Sequence, residues 1–296
     1  MKIIIIIAAV ILTLIFLFAF FTAGFTMTGR RQTLEEAFAW QTDHYDTSFY
    51  DALEKNSYTI SGANGYTLHA ELLKAPVPSD RYIILSHGYT DNRFGSLKYA
   101  GMYLDLGFNC IIYDLRGHGE NEKTFTTYGV LEARDLMALI NDTRARYPGL
   151  KSLGLHGESL GAATTVTALK YKPEVDFAVA DCGFSDIENV LRGGFRSMHI
   201  PEFLFRLTDF GARLRYGYPL SEMRPIESLN ENMIPVLFIH GEEDSFILPR
   251  NSEAMYERTK GTGELCLIPG AGHAESVLTD PERYRQAVSD FLQTIR

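Results

Sequence analysis

Short, nearly continuous apolar runs punctuate this chain at residues 82–86, 108–113, 153–156, 177–181, 236–240 and 265–268. Between them lie stretches of helical period, among them 94–106, 129–147 and 162–172, and a closing helix is predicted over 282–295. Runs this short and this apolar suit strands buried on both faces. Their alternation with helices predicts a mostly parallel central sheet covered on both sides. Two further strand-like segments flank Asn64-Gly65, a pair that accepts positive φ, and predict an antiparallel hairpin at one edge. Asp280-Pro281 supplies a cap and a first turn for the closing helix.

One interval breaks the alternation. Residues 184–232 hold Phe195, Phe203, Phe205 and Phe210 interleaved with Arg192, Arg196, Arg206, Arg213 and Arg215. A connection this long predicts a small helical cap over the carboxyl ends of the strands, where such sheets take ligands. A plain long crossover, its aromatics in the core and its arginines solvated, is the alternative.

Residues 3–23 form an almost unbroken apolar run, long enough to cross a bilayer as a helix. A cleaved signal sequence ending near Thr22-Ala23-Gly24 competes, but the apolar region of such a signal is usually about 7–15 residues. We therefore expect a single-pass membrane anchor over 1–28 and a juxtamembrane stalk or strap over 29–57. The core then occupies 58–183 and 233–296. Thr33-Leu34-Glu35-Glu36 has the form of a capping box opening a short helix through Trp40. Lys2 lies on one side of the apolar run and Arg30-Arg31 on the other, and the core is expected outside the cytoplasm.

With 46% apolar residues in 296, the chain can bury a sizeable core. A net charge of -9 and the lack of a long basic run argue against nucleic acid as a partner. Cys110, Cys182 and Cys266 match no zinc spacing and read as buried, reduced thiols.

The candidate chemistry centres on Gly157-Glu158-Ser159-Leu160-Gly161, between the run at 153–156 and the helix at 162–172. A strand–turn–helix with serine at the apex strains that serine and brings its neighbours close to adjoining backbone, which glycine permits. A serine hydroxyl needs a general base, and the base needs an orienting acid. His273, in the turn after the last strand, is the candidate base. His87, His156 and His240 also end strands, each before a glycine, and read as supports behind the reacting groups or as structural, since no metal-ligand spacing is present. The candidate acid is Asp244, with Asp181 and Asp186 as rivals and Glu242 and Glu243 as exposed turn charges. Two oxyanion donors are expected: the backbone N–H groups of Leu160 and Tyr89. The Tyr89 side chain is expected to project into the pocket, and Arg116 to order the loop 114–119.

These segments together resemble the α/β-hydrolase superfamily: His87-Gly88, residues 114–119, Gly157 to Gly161, residues 238–244 and Gly270-Ala271-Gly272-His273. The resemblance covers residue 58 to the C-terminus and is closest to serine aminopeptidase-like hydrolases, monoacylglycerol lipases and small bacterial esterases. It implies an α/β-hydrolase fold with chain order Ser159, Asp244, His273. It also implies hydrolysis of esters, thioesters or amides through an acyl-enzyme, without a cofactor. Ser159 separates the chain from the aspartate-nucleophile branches, and Tyr89-Thr90-Asp91 separates it from the prolyl aminopeptidases. Glu120-Asn121 departs from relatives that carry serine there. The expected activity is a carboxylesterase acting on small acyl esters, lipids included. A peptidase or amidase would need acids such as Glu202 or Asp209 aimed at a substrate amine. A non-catalytic binding protein would not need all three residues.

Overall fold

The computed structural model of the chain describes residues 1–295. Eight strands run β1 Lys55–Ser61, β2 Thr67–Leu73, β3 Arg81–Ser86, β4 Asn109–Tyr113, β5 Ser152–Glu158, β6 Phe177–Asp181, β7 Val236–Gly241 and β8 Gly263–Ile268. They form one sheet in the order β1-β2-β4-β3-β5-β6-β7-β8. β1 pairs antiparallel with β2, and β2 with β4; every later pairing is parallel.

The helices are α1 Lys2–Met27, α2 Leu34–His44, α3 Ser48–Ala52, α4 Leu97–Asp105, α5 Val130–Arg146 and α6 Leu160–Ala168, then α7 Ile187–Ser197, α8 Phe205–Tyr216, α9 Arg250–Arg258, α10 Ser276–Thr279 and α11 Pro281–Thr294. Strand alternation divides the core between the two faces of the sheet. Ile84, Ile111, Leu155 and Phe238 pack with Leu136 of α5, Val166 of α6 and Met255 of α9. Ile83, Leu85, Val179 and Leu237 pack with Tyr103 of α4 and with Tyr284 and Phe291 of α11. Asp280 caps α11 by accepting the Arg283 N–H at 3.0 Å. The parallel arrangement puts the carboxyl ends of β3 to β8 on one edge, and this edge carries the site.

The predicted hairpin is present with a wider loop than Asn64-Gly65 alone. Ser61 pairs with Thr67, and the Gly62 N–H closes the turn on the Tyr66 carbonyl. Asn64 (φ +58°) and Gly65 (φ +75°) supply the left-handed bend. The capping box also forms: Thr33 accepts the Glu36 N–H, and Glu36 accepts the Thr33 N–H. Its helix, α2, continues past Trp40 to His44. Residues 29–53 wrap as a strap: Phe38, Phe49 and Tyr50 pack on the second core cluster. The Gln32 N–H donates to the Thr90 carbonyl.

The interval between β6 and β7 holds α7, α8 and three short 3-10 turns. Asp186 caps α7 through the Asn189 N–H at 2.8 Å. α8 makes the seam with α1. Residues 1–17 of the chain stand exposed, whereas Ala19, Ala23, Gly24 and Met27 are buried along one stripe of α1. Thr22 Oγ1 lies 2.9 Å from Thr208 Oγ1, and Arg215 donates to the Phe20 carbonyl at 3.2 Å. A side-chain carbon on Gly211 would strike the Ala19 carbonyl. The end of α1 thus belongs to the folded domain and is not a free tether. Among the described residues α1 is the one helix long and apolar enough to cross a membrane.

Overfilling a seam this close costs about 1–3 kcal/mol. Gly211→Leu in the full-length protein in detergent should therefore lower the melting temperature by several degrees. Gly149→Ala, with open space around it, should leave it near wild type. Equal melting temperatures for all three proteins would mean that α1 and α8 do not pack in this way.

Candidate active site

β5 ends at Glu158 and α6 begins at Leu160, which leaves Ser159 alone at the bend. Its backbone is left-handed, with φ +53° and ψ -112°, a conformation that costs on the order of 1–3 kcal/mol for a residue with a side chain. Close approaches hold it there. A side-chain carbon at Gly157 would run into the Gly161 carbonyl, and one at Gly161 into the Ser86 carbonyl. The Ser159 N–H donates to the Asp181 carbonyl at 2.8 Å.

The structure brings the three predicted side chains together. Ser159 Oγ lies 3.1 Å from His273 Nε2, and His273 Nδ1 lies 2.7 Å from Asp244 Oδ2. His273 follows β8 in a turn bent by Gly270 (φ +75°) and released by Ala274 (φ +60°). Asp244 follows β7, and its Oδ1 accepts the Phe246 and Ile247 N–H groups at 2.9 and 2.8 Å. His240, read from the sequence as a support behind the site or as structural, is a partner of Asp244. Its Nε2 lies 2.7 Å from the Ile247 carbonyl, an acceptor only, so that nitrogen carries a proton, and it is 3.2 Å from Asp244 Oδ2. Burial alone would raise the Asp244 carboxyl. The hydrogen bonds from His240 and His273, with the Ile247 N–H, outweigh it and hold the carboxyl well below the ordinary range. Asp244 is thus a buried anion aimed at His273. The four-residue spacing of His240 and Asp244 across a tight turn was the available signal.

The rival acids are occupied elsewhere. Asp186 caps α7. Asp181 Oδ2 lies 3.0 Å from both the Tyr99 and the Tyr284 hydroxyls. Behind the elbow, Glu158 pairs with the buried Lys98 and accepts the Tyr99 hydroxyl at 2.5 Å.

Of the two oxyanion candidates, Leu160 opens α6, where its N–H has no intrahelical partner. Tyr89 follows Gly88, whose side-chain position would lie 3.8 Å from Ser159 Cβ, so this loop borders Ser159. The Tyr89 side chain reaches the end of α1. Its hydroxyl donates to the Thr26 carbonyl at 3.0 Å and accepts the Gly29 N–H at 2.9 Å, because the end of α1 offers both partners. Its ring stacks on Tyr128 at 5.7 Å. His118 Nε2 lies 2.7 Å from the Tyr89 carbonyl. Arg116 orders the loop as expected, through both oxygens of Asp135 at 2.8 and 2.9 Å.

The other strand-end histidines have separate tasks. His87 Nε2 accepts the Leu115 N–H at 2.9 Å, and burial lowers its pKa so that it stays neutral. His156 lies between the hydroxyls of Tyr103 and Tyr284. Glu120-Asn121 serves loop structure: Glu120 pairs with Arg93, and Asn121 bonds His69 and the Asp114 carbonyl. Phe246 carried no sequence signal. Its ring stands edge-on to His273 at 5.1 Å and is 62% exposed. Phe203 and Phe210 point to solvent, and Phe205 is buried under Arg192. A wide cavity of about 890 Å³ lies away from Ser159, between the end of α1 and the loop 117–125.

Residues 95–295 match the model of the prolyl oligopeptidase family. YqkD of Bacillus subtilis, described as uncharacterized, is 34% identical over 277 residues, 90% of this chain and 89% of that protein. Human alpha/beta hydrolase domain-containing protein 17C is 29% identical over 225 residues, 74% of this chain and 59% of that protein. Among solved structures, the Pyrococcus furiosus esterase Pf2001 superposes with a TM-score of 0.69 at 24% identity, over 82% of this chain and 92% of its own. A thermophilic esterase from Thermogutta terrifontis gives 0.59 at 20% identity, over 81% and 99%. At these identities the structures speak for the fold.

Burial, and then the neighbouring Glu158 charge, push the Asp181 carboxyl up to about 6. Its unfolded value is about 3.9. Below that value both states are protonated and the group costs nothing. As pH rises from about 4 to 6 the unfolded chain releases its proton first, so stability falls. Asp181→Asn should make the decline in urea midpoint over that window shallower than in wild type. An unchanged slope would show that Asp181 titrates normally.

Proposed function

Because the chain belongs to the prolyl oligopeptidase family, within the α/β-hydrolase superfamily, we propose that it is a serine hydrolase cleaving carboxylic esters through an acyl-enzyme. The observation that carries this reading is the continuous chain Ser159 Oγ, His273, Asp244, with contacts of 3.1 and 2.7 Å. Ser159 Oγ attacks the acyl carbonyl while His273 Nε2 takes its proton. Asp244 holds the proton of His273 on Nδ1 and stabilises the imidazolium. The oxyanion is received by the N–H groups of Leu160 and Tyr89, the former at the positive end of α6. The intermediate collapses as His273 gives the proton to the leaving alkoxide, which departs as the alcohol. Water then repeats the sequence on the acyl-serine, releasing the acid and restoring Ser159.

Two observations support an ester over an amide substrate. Glu202 pairs with Arg196, and Asp209 accepts the Ser221 N–H and hydroxyl, so neither acid is available to a substrate amine. The exposed group beside His273 is the apolar ring of Phe246. A peptidase remains the second reading, favoured by the description of the matching family. We further propose that α1 is a single-pass membrane anchor and that α7 and α8 cap the site. Support comes from the 26-residue length of α1 and its exposed apolar stretch.

Asp244→Asn keeps the shape of the acid but favours the wrong imidazole tautomer, and should lower kcat on a short ester by roughly 10⁴. Asp186→Asn should leave kcat near wild type. If Asp244→Asn retains more than about a tenth of the rate, less than 1.4 kcal/mol of barrier, another group orients His273. Phe246→Ala tests the acyl side. A ring contact of this kind is worth about 1.5–3 kcal/mol when the ligand covers it. The variant should lose kcat/KM on hexanoate esters at least several-fold more than on acetate esters. Equal losses would mean that Phe246 supports His273 without touching the acyl chain.

A further inference from the structure

α1 carries a length constraint. At 1.5 Å per residue, the exposed stretch from Lys2 to Leu17 spans about 24 Å, whereas the hydrocarbon core of a bilayer is about 30 Å and needs about 20 residues. The stretch that stands clear of the domain is too short. Counting about 20 residues from Ile3 puts the far boundary of the hydrocarbon near Thr22. Thr22 is the residue that touches Thr208 of α8, next to the close contact of Ala19 with Gly211. If α1 spans the bilayer, α8 is carried to the boundary with it.

The outer face of α8 suits that position. Phe203, Leu207, Phe210 and Leu214 follow a helical stripe, and Phe203, Phe210 and Leu214 are 69, 56 and 56% exposed. Phe21 and Phe25 of α1, both exposed, extend the same apolar character from α1. Arg206 and Arg213 are exposed beside the stripe, and Arg215 lies over the Phe20 ring at 4.3 Å. Among the described residues none of these three arginines forms an ion pair with a carboxylate. An apolar stripe bordered by unpaired arginines is the pattern of a helix lying in the plane of a membrane interface, where the cations meet lipid phosphates.

We infer that α8 and the turn before it lie in the membrane–water interface, with Phe203, Phe210 and Leu214 set among the lipids and Arg206 and Arg213 at the phosphate level. This rests on the reading of α1 as a membrane helix. The catalytic edge is close behind. Thr26 lies four residues past Thr22, about 6 Å along α1, and its carbonyl takes the hydroxyl of Tyr89, two residues from His87 in the loop that borders Ser159. The site therefore opens within reach of acyl esters held in the lipid surface, and these are the substrate class the arrangement favours.

Depth-dependent quenching of tryptophan fluorescence tests the placement without any turnover, so the result does not depend on the chemistry of Ser159. Trp40 is the single tryptophan, and Trp40→Phe gives a silent background. Into it go Phe210→Trp on α8, Phe16→Trp on α1, and Tyr171→Trp past the far end of α6. The full-length variants are reconstituted in phosphatidylcholine–phosphatidylglycerol vesicles carrying brominated acyl chains. Phe16→Trp should be quenched best by deep bromines, Phe210→Trp by shallow ones, and Tyr171→Trp by neither. Quenching at position 16 with none at 210 would overturn the placement of α8 and leave the anchor standing. No quenching at 16 would overturn the anchor and this inference with it. As a second readout, Phe210→Ser with Leu214→Ser should lower hydrolysis of a vesicle-borne ester about tenfold relative to a water-soluble one. Equal effects on both would count against the inference.

Discussion

The geometry of the candidate site depends on one backbone constraint: Ser159 is held at φ +53° between the last residue of β5 and the first of α6. That conformation is unfavourable for serine, and it persists because Gly157, Gly161 and the Ser86 carbonyl press together where no side chain fits. The bend lifts the hydroxyl off the sheet edge and starts α6 directly beneath it. In the proposed reaction, the N–H of Leu160 and the positive end of that helix face the charge that develops during acyl transfer. Glu158 at the same bend is anchored in the opposite direction by buried Lys98, so the elbow is fixed from both sides.

A second fixture surrounds Asp244. Two backbone N–H groups, His240 and His273 converge on one buried carboxylate. A buried charge is tolerable when it is fully hydrogen-bonded, and here the bonding also points Oδ2 at His273. The third fixture comes from the far end of the chain. The Thr26 carbonyl and the Gly29 N–H clasp the hydroxyl of Tyr89, and the Thr126 N–H donates to the Met27 carbonyl. The end of α1 therefore takes part in shaping the loop beside Ser159. Removing the first 28 residues would take away these contacts as well as the apolar helix.

Much of this was legible in the chain because local chemistry demanded it. Apolar runs ending in His87, His156 and His240 read as buried parallel strands, and the glycine spacing around Ser159 read as an elbow. The order Ser159, Asp244, His273 then followed from the turns after β7 and β8. What escaped was set by packing between distant segments. The docked end of α1 could not be told from the rest of an apolar run, since Ala19, Ala23 and Gly24 fit a lipid-facing helix equally well. The hydroxyl partners of Tyr89 could not be named from the sequence, because Thr26 near the end of α1 and Gly29 just past it lie about 60 residues away. Phe246 is an ordinary turn residue by sequence, and only the fold brings its ring against His273.

The central claim is that Ser159 is a nucleophile activated by His273. The direct measurement is the intact mass of the full-length protein after reaction with a fluorophosphonate, followed by mapping of the adduct. A single adduct on Ser159, lost in Ser159→Ala and strongly slowed in His273→Ala, is the predicted result. Labelling at another residue, or an unmodified protein under conditions that label a control serine hydrolase, would contradict the account.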